Sequence, residues 1–187
     1  MHDIEPFYGW MKYYLANKDA RSPFSGRKYG QEYVNDVYGY YIHPDWDEIG
    51  SETLYCKILF VDYTLKFTVI ELMGEWNDAL HNDVMYLKRQ VVDELTKLGI
   101  NKFILLGENL LQFHGGEQDY YEEWFEDVED GWIAAVNFRD FIVHEFRRYR
   151  VDHYINVGGT LDIENWRTLK PAQFFEIVNT LICRRLN

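Results

Sequence analysis

Three apolar runs in the second half of the chain each end in small or polar residues, and each precedes a helical pattern of hydrophobic positions. The runs are 103–106 before Gly107, 133–136 before Asn137, and 154–157 before Gly158. Strands that alternate with helices predict a parallel sheet with helices on both faces. Ligands usually bind beyond the carboxyl ends of the strands in such sheets, so the pattern directs the search for a site to that edge.

Other periodicities appear in the middle of the chain. Residues 54–61 and 65–72 are strand-like and are joined by Asp62-Tyr63-Thr64, which predicts a hairpin; one long bent strand is the alternative. An apolar stripe from Leu80 to Leu98 predicts an amphipathic helix that Asn77 caps and Gly99 ends. Similar patterns predict helices over 118–128, 139–149 and 171–186.

The first part of the chain is less regular. Its pattern predicts a short helix over 4–15 and a strand over 37–42. Residues 1–35 are rich in Tyr, and we expect them to form an extension packed on a single α/β domain over 1–187, because no linker rich in Pro, Gly or Ser interrupts the chain.

The predicted elements together give a three-layer α-β-α sandwich. Its mixed sheet has an antiparallel N-terminal hairpin followed by parallel βαβαβα, with right-handed crossovers. This order resembles the flavodoxin-like and anti-sigma-antagonist-like topologies. The resemblance concerns architecture alone and implies no function.

Composition narrows the classes of partner. Aromatic residues make up 18% of the chain, with 15 Tyr, 12 Phe and 6 Trp, so we expect some rings at the surface, where they favour protein interfaces. A core that uses rings in place of Leu is the alternative. The net charge of −12 argues against nucleic acid and anionic membranes as partners. Cys56 and Cys183 have no metal or disulfide spacing, and no signal-peptide or membrane-spanning pattern is seen, which together predict a cytoplasmic protein.

Most motifs of known chemistry are missing from the sequence. There is no P-loop, no dinucleotide-binding glycine pattern and no nucleophile elbow, so we expect no cofactor. His114, Glu117 and Asp119 would suit a divalent cation, but a solvated loop is the favoured interpretation and we expect no metal. The amides of Gly158-Gly159-Thr160 would suit an anion, although a glycine pair is usually only a turn.

Polar residues at the predicted strand ends give the best case for an enzyme. Glu108, His114, Arg139 and Asp140 are the candidate catalytic residues, since a carboxylate or imidazole moves protons and an arginine holds an anionic substrate. The neighbouring residues that we expect at the ligand edge are Asn109, Asn137, Asn156, Gly158 and Gly159. Helix capping and ordinary ion pairing are the structural alternative for these residues.

An acidic aromatic segment gives the case for a protein interface. Eight of the fourteen residues from 117 to 130 are acidic. We expect Tyr121, Phe125 and Val128 to face the sheet, and Tyr120 and Trp124 to turn aside as surface anchors. Arg147 and Arg148, in the chain's densest basic patch, would then contact this acidic face in a second copy.

Two functions remain open on this basis. The leading hypothesis is a non-catalytic α/β domain that acts as an interaction or regulatory module for a protein partner or for itself. The alternative is a small-molecule-binding enzyme with an acid–base site at the carboxyl edge of the parallel strands. A pocket that joins the four candidate catalytic residues would favour the enzyme, and exposed Tyr120 and Trp124 would favour the module.

Overall fold

The computed structural model describes residues 2–33 and 35–186, so Met1, Val34 and Asn187 of the predicted domain lie outside it. Its strands are β1 (His2–Ile4), β2 (Asp36–Val37), β3 (Tyr40–Ile42), β4 (Asp47–Glu48), β5 (Leu54–Asp62), β6 (Phe67–Asn77), β7 (Lys102–His114), β8 (Trp132–Val136) and β9 (Asn156–Val157). Its helices are α1 (Asp83–Leu87), a π-helical segment (Lys88–Val92), α2 (Asp93–Lys97), α3 (Asp119–Asp127), α4 (Asp140–Arg148) and α5 (Pro171–Leu186). None of the helices in this part of the chain is long and apolar enough to cross a membrane.

Strands β4 to β9 form a mixed sheet in which neighbours in space are also neighbours along the chain. β4, β5 and β6 pair antiparallel, whereas β6, β7, β8 and β9 pair parallel. The α/β class, the hairpin and the parallel second half are therefore confirmed. In a flavodoxin-like sheet the first two parallel strands exchange places, so the strand order is not sequential. The described strands are in sequential order, so the finer topology is not confirmed.

The two faces of this sheet carry separate hydrophobic clusters, because successive side chains of a strand point to opposite faces. On one face, Ile70 and Phe103 pack with the apolar sides of α1 to α4. On the other face, Val69 and Ile104 pack with α5 and with Trp10 of the N-terminal segment. Sequential right-handed crossovers place α1 to α4 on one side, so α5 and the N-terminal segment cover the other.

Strand β7 is much longer than the apolar run that predicts it. It continues through Gly107-Glu108-Asn109, which were expected at its end, to His114, which was expected in a loop. The reason is its neighbour β6, which stays paired with it as far as Asn77 opposite His114. Strand β8 stops earlier, at Val136 opposite Leu106, so the carboxyl edge of the sheet is stepped.

The helix after β6 begins later than its apolar stripe predicts. Asn77 is the last residue of β6, and its side-chain oxygen accepts a hydrogen bond of 3.0 Å from the amide of Leu80. Leu80 is 79% exposed and lies in a turn, so the helix begins only at Asp83. Gly99 does adopt the predicted left-handed conformation, with φ of 89°.

The N-terminal helix that was predicted over 4–15 is wrong. His2–Ile4 instead forms β1, which pairs parallel to β3, and turns follow it. The strand expected over 37–42 is a hairpin of β2 and β3, because Tyr38 and Gly39 form a two-residue turn with φ of 51° and 79°. Ile42 and other inward residues of this small sheet pack on β5 and β6, so Tyr41 faces outward.

Candidate functional sites

The stepped edge separates the four candidate catalytic residues. Glu108, Arg139 and Asp140 line one open cavity of about 470 Å³ where β8 ends. His114 is not part of it, because β7 carries this residue to the far end of β6, where its Nε2 lies 3.6 Å from Glu75 Oε1. The arrangement that an acid–base enzyme would need is therefore only partly present.

Glu108 is the centre of a hydrogen-bond network at this cavity. Its Oε1 accepts hydrogen bonds of 2.8 Å from Asn137 and 2.8 Å from the indole of Trp166, and its Oε2 lies 2.5 Å from the Arg167 guanidinium. Arg139 donates at 3.3 Å to the backbone oxygen of Glu108. A carboxylate held by three donors anchors the loops that carry those donors.

Asn137 has a different role from the predicted helix cap. It adopts φ of 56°, and α4 begins with no side-chain cap. Its side chain bonds instead to Ile163, accepting from the amide at 2.6 Å and donating to the carbonyl at 3.0 Å. Asn137 therefore ties the loop after β9 to the end of β8.

A buried carboxyl group lies beside this network, in the middle of β6. Glu71 is 1% exposed, and its oxygens accept hydrogen bonds of 2.8 Å from the Phe7 amide and 3.0 Å from Asn109. Burial raises the pKa of Glu71 to about 7. This is a suitable value for a general base, but the N-terminal segment seals the group from solvent.

A second buried carboxyl group organises the end of β6. Asp78 accepts hydrogen bonds from the indole of Trp76 at 3.0 Å and the amide of Val84 at 2.8 Å, as well as from the Tyr121 hydroxyl. Burial raises its pKa to about 6. These partners join β6, α1 and α3, so Asp78 has a structural role that the sequence pattern does not reveal.

The aromatic face of α3 is rotated relative to its prediction. Trp124, expected at the surface, is fully buried and packs edge-on against Phe103 with ring centres 5.4 Å apart. Phe125, expected in the core, is 52% exposed. Tyr120 is only partly exposed. The proposed surface anchor on α3 is therefore a core residue, which is a correction to the predicted interface.

Two acidic residues of α3 form ion pairs with a buried lysine. Lys88 has a fully inaccessible side chain whose ammonium lies 2.7 Å from Asp93, 3.0 Å from Glu123 and 2.6 Å from Asp127. Burial opposes the charge, but hydrogen bonds to these carboxylates outweigh it and raise the pKa of Lys88. Glu123 also pairs with Arg89 at 2.7 Å, so two of the α3 carboxylates are neutralised within the molecule.

The two arginines of the predicted basic patch on α4 have different surroundings. Arg148 pairs with Glu145 of the same helix at 3.5 Å. Arg147 instead lies beside Gly158, where the chain turns after β9. Asn156 is held in the sheet, since its side chain donates to the Ile133 carbonyl at 3.1 Å.

Two groups of metal-ligating side chains have ligand atoms within 4.8 Å of one another among the described residues. One is Asp93, Glu123 and Asp127, and the Lys88 ammonium already lies among them. The other is Asp3, Glu5 and His43. The alternative cation cluster at His114, Glu117 and Asp119 is not brought together in the described part of the chain.

The surplus of rings that composition predicts lies on the N-terminal part of the chain. We define the aromatic surface as Tyr8, Tyr33, Tyr41 and His43; its tyrosines are between 36% and 46% exposed. The Tyr33 ring is 5.7 Å from those of both Tyr41 and His43, and Tyr8 is 6.4 Å from His43. These rings come from separate segments. Composition therefore predicts that some rings are exposed, but it does not predict which of them lie together.

Carboxylates surround this aromatic surface. Tyr33 donates to Asp3 at 2.6 Å, and Tyr8 donates to Asp45 at 2.8 Å. The hydrogen bond to Asp3, partial desolvation and the charges of Asp3, Glu5 and Asp45 all raise the pKa of Tyr33. No Lys or Arg of the described residues forms an ion pair with any of these three carboxylates, so the surface is electronegative.

An apolar cavity adjoins the aromatic surface. It has a volume of about 250 Å³ and lies between the N-terminal segment and β5. Tyr8 belongs to both the aromatic surface and the cavity wall, and Asp45 lines the cavity beside it. Trp10, Met11 and Tyr14 complete much of the apolar lining. A cavity of this kind accepts one anchoring side chain or a small ligand.

Comparisons with known proteins assign no family to the chain. No family model matches it, and no curated protein matches it in sequence.

Proposed function

We propose that this protein is an interaction module that binds a basic partner protein through the aromatic surface. The observation that carries the proposal is the cluster of exposed Tyr rings around His43. It is bordered by Asp3, Glu5 and Asp45, whose side chains form no ion pair with a Lys or Arg of the described residues. Tyr gives a large, rigid contact area at low entropic cost. A partner's Lys or Arg would meet both ring faces and carboxylates there.

The adjoining cavity supports the same function. Interfaces draw most of their affinity from a few anchors that fill pockets near exposed rings. The cavity of about 250 Å³ opens beside Tyr8 and Asp45. A partner would insert one apolar or long aliphatic side chain there while its basic residues lie on the rings.

The partner is a different protein and not a second copy. A symmetric dimer built on the aromatic surface would oppose the same carboxylates to one another, which like-charge repulsion disfavours. The alternative contact between α3 and the α4 arginines loses support, because Trp124 is buried and Arg148 pairs with Glu145.

The enzyme alternative has weaker support. His114 lies apart from Glu108, Arg139 and Asp140, and Glu108 is already held by three donors. Glu71 has the pKa best suited to proton transfer but is sealed beneath Phe7.

A peptide titration followed by NMR tests the proposal. The probe is a Lys- and Arg-rich peptide with one Leu, added with a chelator to exclude metal bridging, and the readout is the ring signals of the tyrosines. We expect Tyr8, Tyr33 and Tyr41 to shift, with an affinity that falls as salt is raised. Shifts confined to Tyr120 and α3, or none at all, would overturn the proposal.

A further inference from the structure

The turn that follows β9 contains two successive glycines. Gly158 and Gly159 adopt φ of 72° and 59°, a conformation that glycine reaches without strain. Because β9 pairs parallel to β8, the turn that follows it lies at the carboxyl edge of the parallel strands. It is at the opposite end of the strand order from β4 and is independent of the aromatic surface.

Two arginines from different helices meet at this turn. Arg147 comes from α4, and one of its terminal nitrogens lies 3.3 Å from the point that a Cβ on Gly158 would occupy. Arg185 comes from α5 and lies 3.3 Å from the equivalent point on Gly159. Arg185 also donates to the Gly158 carbonyl and, at 3.3 Å, to the Thr160 hydroxyl. The turn, the two guanidinium groups and the Thr160 hydroxyl thus form one cluster.

The positive charge of this cluster is not compensated. Within the described residues neither Arg147 nor Arg185 forms an ion pair with a carboxylate, although the chain has 31 acidic residues against 19 basic ones. Other arginines of the protein do find acids, as Arg148 does with Glu145 and Arg167 with Glu108. Partial burial and the like charge of Arg147 lower the pKa of Arg185. Two adjacent cations without an acid repel one another until an anion binds between them.

We propose that Arg147, Arg185, Thr160 and the Gly158-Gly159 turn bind a dianionic phosphate group. Guanidinium groups donate paired hydrogen bonds that match phosphate oxygens, and the two positive charges balance a dianion. Gly159 is exposed and has no side chain, so a phosphate bound by the Arg185 guanidinium could also approach the backbone there. A small phosphate ligand fits better than a nucleic acid, because the net charge of −12 repels a polyanion.

Calorimetric titration tests this site with inorganic phosphate and with glycerol 3-phosphate, using chloride at equal ionic strength as the reference. We expect both phosphate probes to bind and chloride not to bind. Equal affinities would assign the site to free phosphate, and tighter binding of glycerol 3-phosphate would assign it to a phosphomonoester; either result supports the proposal. Heat changes that chloride reproduces would overturn it.

Matched variants locate the binding. Arg147→Gln and Arg185→Gln should each weaken phosphate binding by roughly tenfold or more, since each removes a charge-assisted hydrogen bond. Arg148→Gln, which removes a neighbouring arginine already paired with Glu145, should leave the affinity unchanged. Arg147→Gln should not lower the melting temperature of the ligand-free protein, because it removes a repelling charge. Equal weakening by Arg148→Gln, or no weakening by Arg147→Gln, would contradict the proposal.

Discussion

The backbone amide of Phe7 donates a hydrogen bond of 2.8 Å to the carboxylate of Glu71, which joins the N-terminal segment to the middle of the central sheet. Phe7 also packs edge-on against Trp166, with ring centres 4.7 Å apart. The segment that carries Tyr8 is therefore fixed by a polar contact to a buried group as well as by aromatic packing. This attachment fixes the position of Tyr8 relative to the central sheet.

Glu71 should make stability depend on pH. Its pKa is about 7 in the folded protein against an ordinary value of 4.5. Between these values the unfolded chain has released the proton while the folded protein keeps it, so the free energy of unfolding falls as pH rises through this window. The full loss amounts to about 3 kcal/mol above pH 7.

Glu71→Gln should remove this contribution. Urea unfolding at pH 5 and pH 8 should show a smaller loss of stability in the variant than in the native protein. Asp78, whose pKa is about 6, remains in the variant, so part of the pH dependence should persist. An unchanged difference between the two pH values would show that Glu71 titrates normally.

Lys88 should be important for stability because its ammonium is buried among three carboxylates. Lys88→Met leaves those carboxylates to repel one another, and it should cost about 3 kcal/mol. Lys97→Met is the matched control, since Lys97 makes an exposed pair with Glu94 and its replacement should destabilise the protein far less. Chemical unfolding of both variants at neutral pH compares them, and similar losses would contradict the buried role.

Asn137 should show two separable contributions, one from its hydrogen bonds to Ile163 and one from its φ of 56°. Asn137→Ala loses the bonds and keeps an unfavourable conformation, so it should destabilise the protein by about 3 kcal/mol. Asn137→Gly loses the same bonds but relieves the conformation, and it should be more stable than the Ala variant by about 1 kcal/mol. Thermal unfolding of the pair measures the difference; an Ala variant as stable as the Gly variant would show that the backbone here is not constrained.

Long periodic segments were predicted well because their packing follows from local pattern. The helix over 171–186 has its predicted bounds, and β5 and β6 pair as the predicted hairpin. The predicted strand ends before β7 does, because Gly107-Glu108-Asn109 is typical of a loop. In the structure Gly107 is required where the Phe138 ring packs so closely that a Cβ would lie 2.1 Å from it.

The rotation of α3 could not be predicted because two stripes on it are almost equally apolar. Tyr121 and Val128 belong to both stripes, and only the third member differs. It is Trp124 or Phe125, two adjacent residues that point about 100° apart on a helix. The contacts of Glu123 and Asp127 with Lys88, a residue 35 or more positions away, accompany the buried Trp124. The aromatic surface also depends on contacts between distant segments. Tyr8, Tyr33 and Tyr41 come together only through tertiary structure, which includes the pairing of β1 with β3.

Peptide selection with matched variants tests whether the aromatic surface is the site of partner binding. Peptides selected from a random library on the immobilised native protein should be rich in Lys and Arg. Their affinity should fall by roughly tenfold or more in Tyr33→Ala and Tyr41→Ala, as expected for interface tyrosines, and should not change in Tyr120→Ala. Selected peptides without basic residues, or binding that Tyr120→Ala weakens and Tyr33→Ala does not, would show that the partner binds elsewhere.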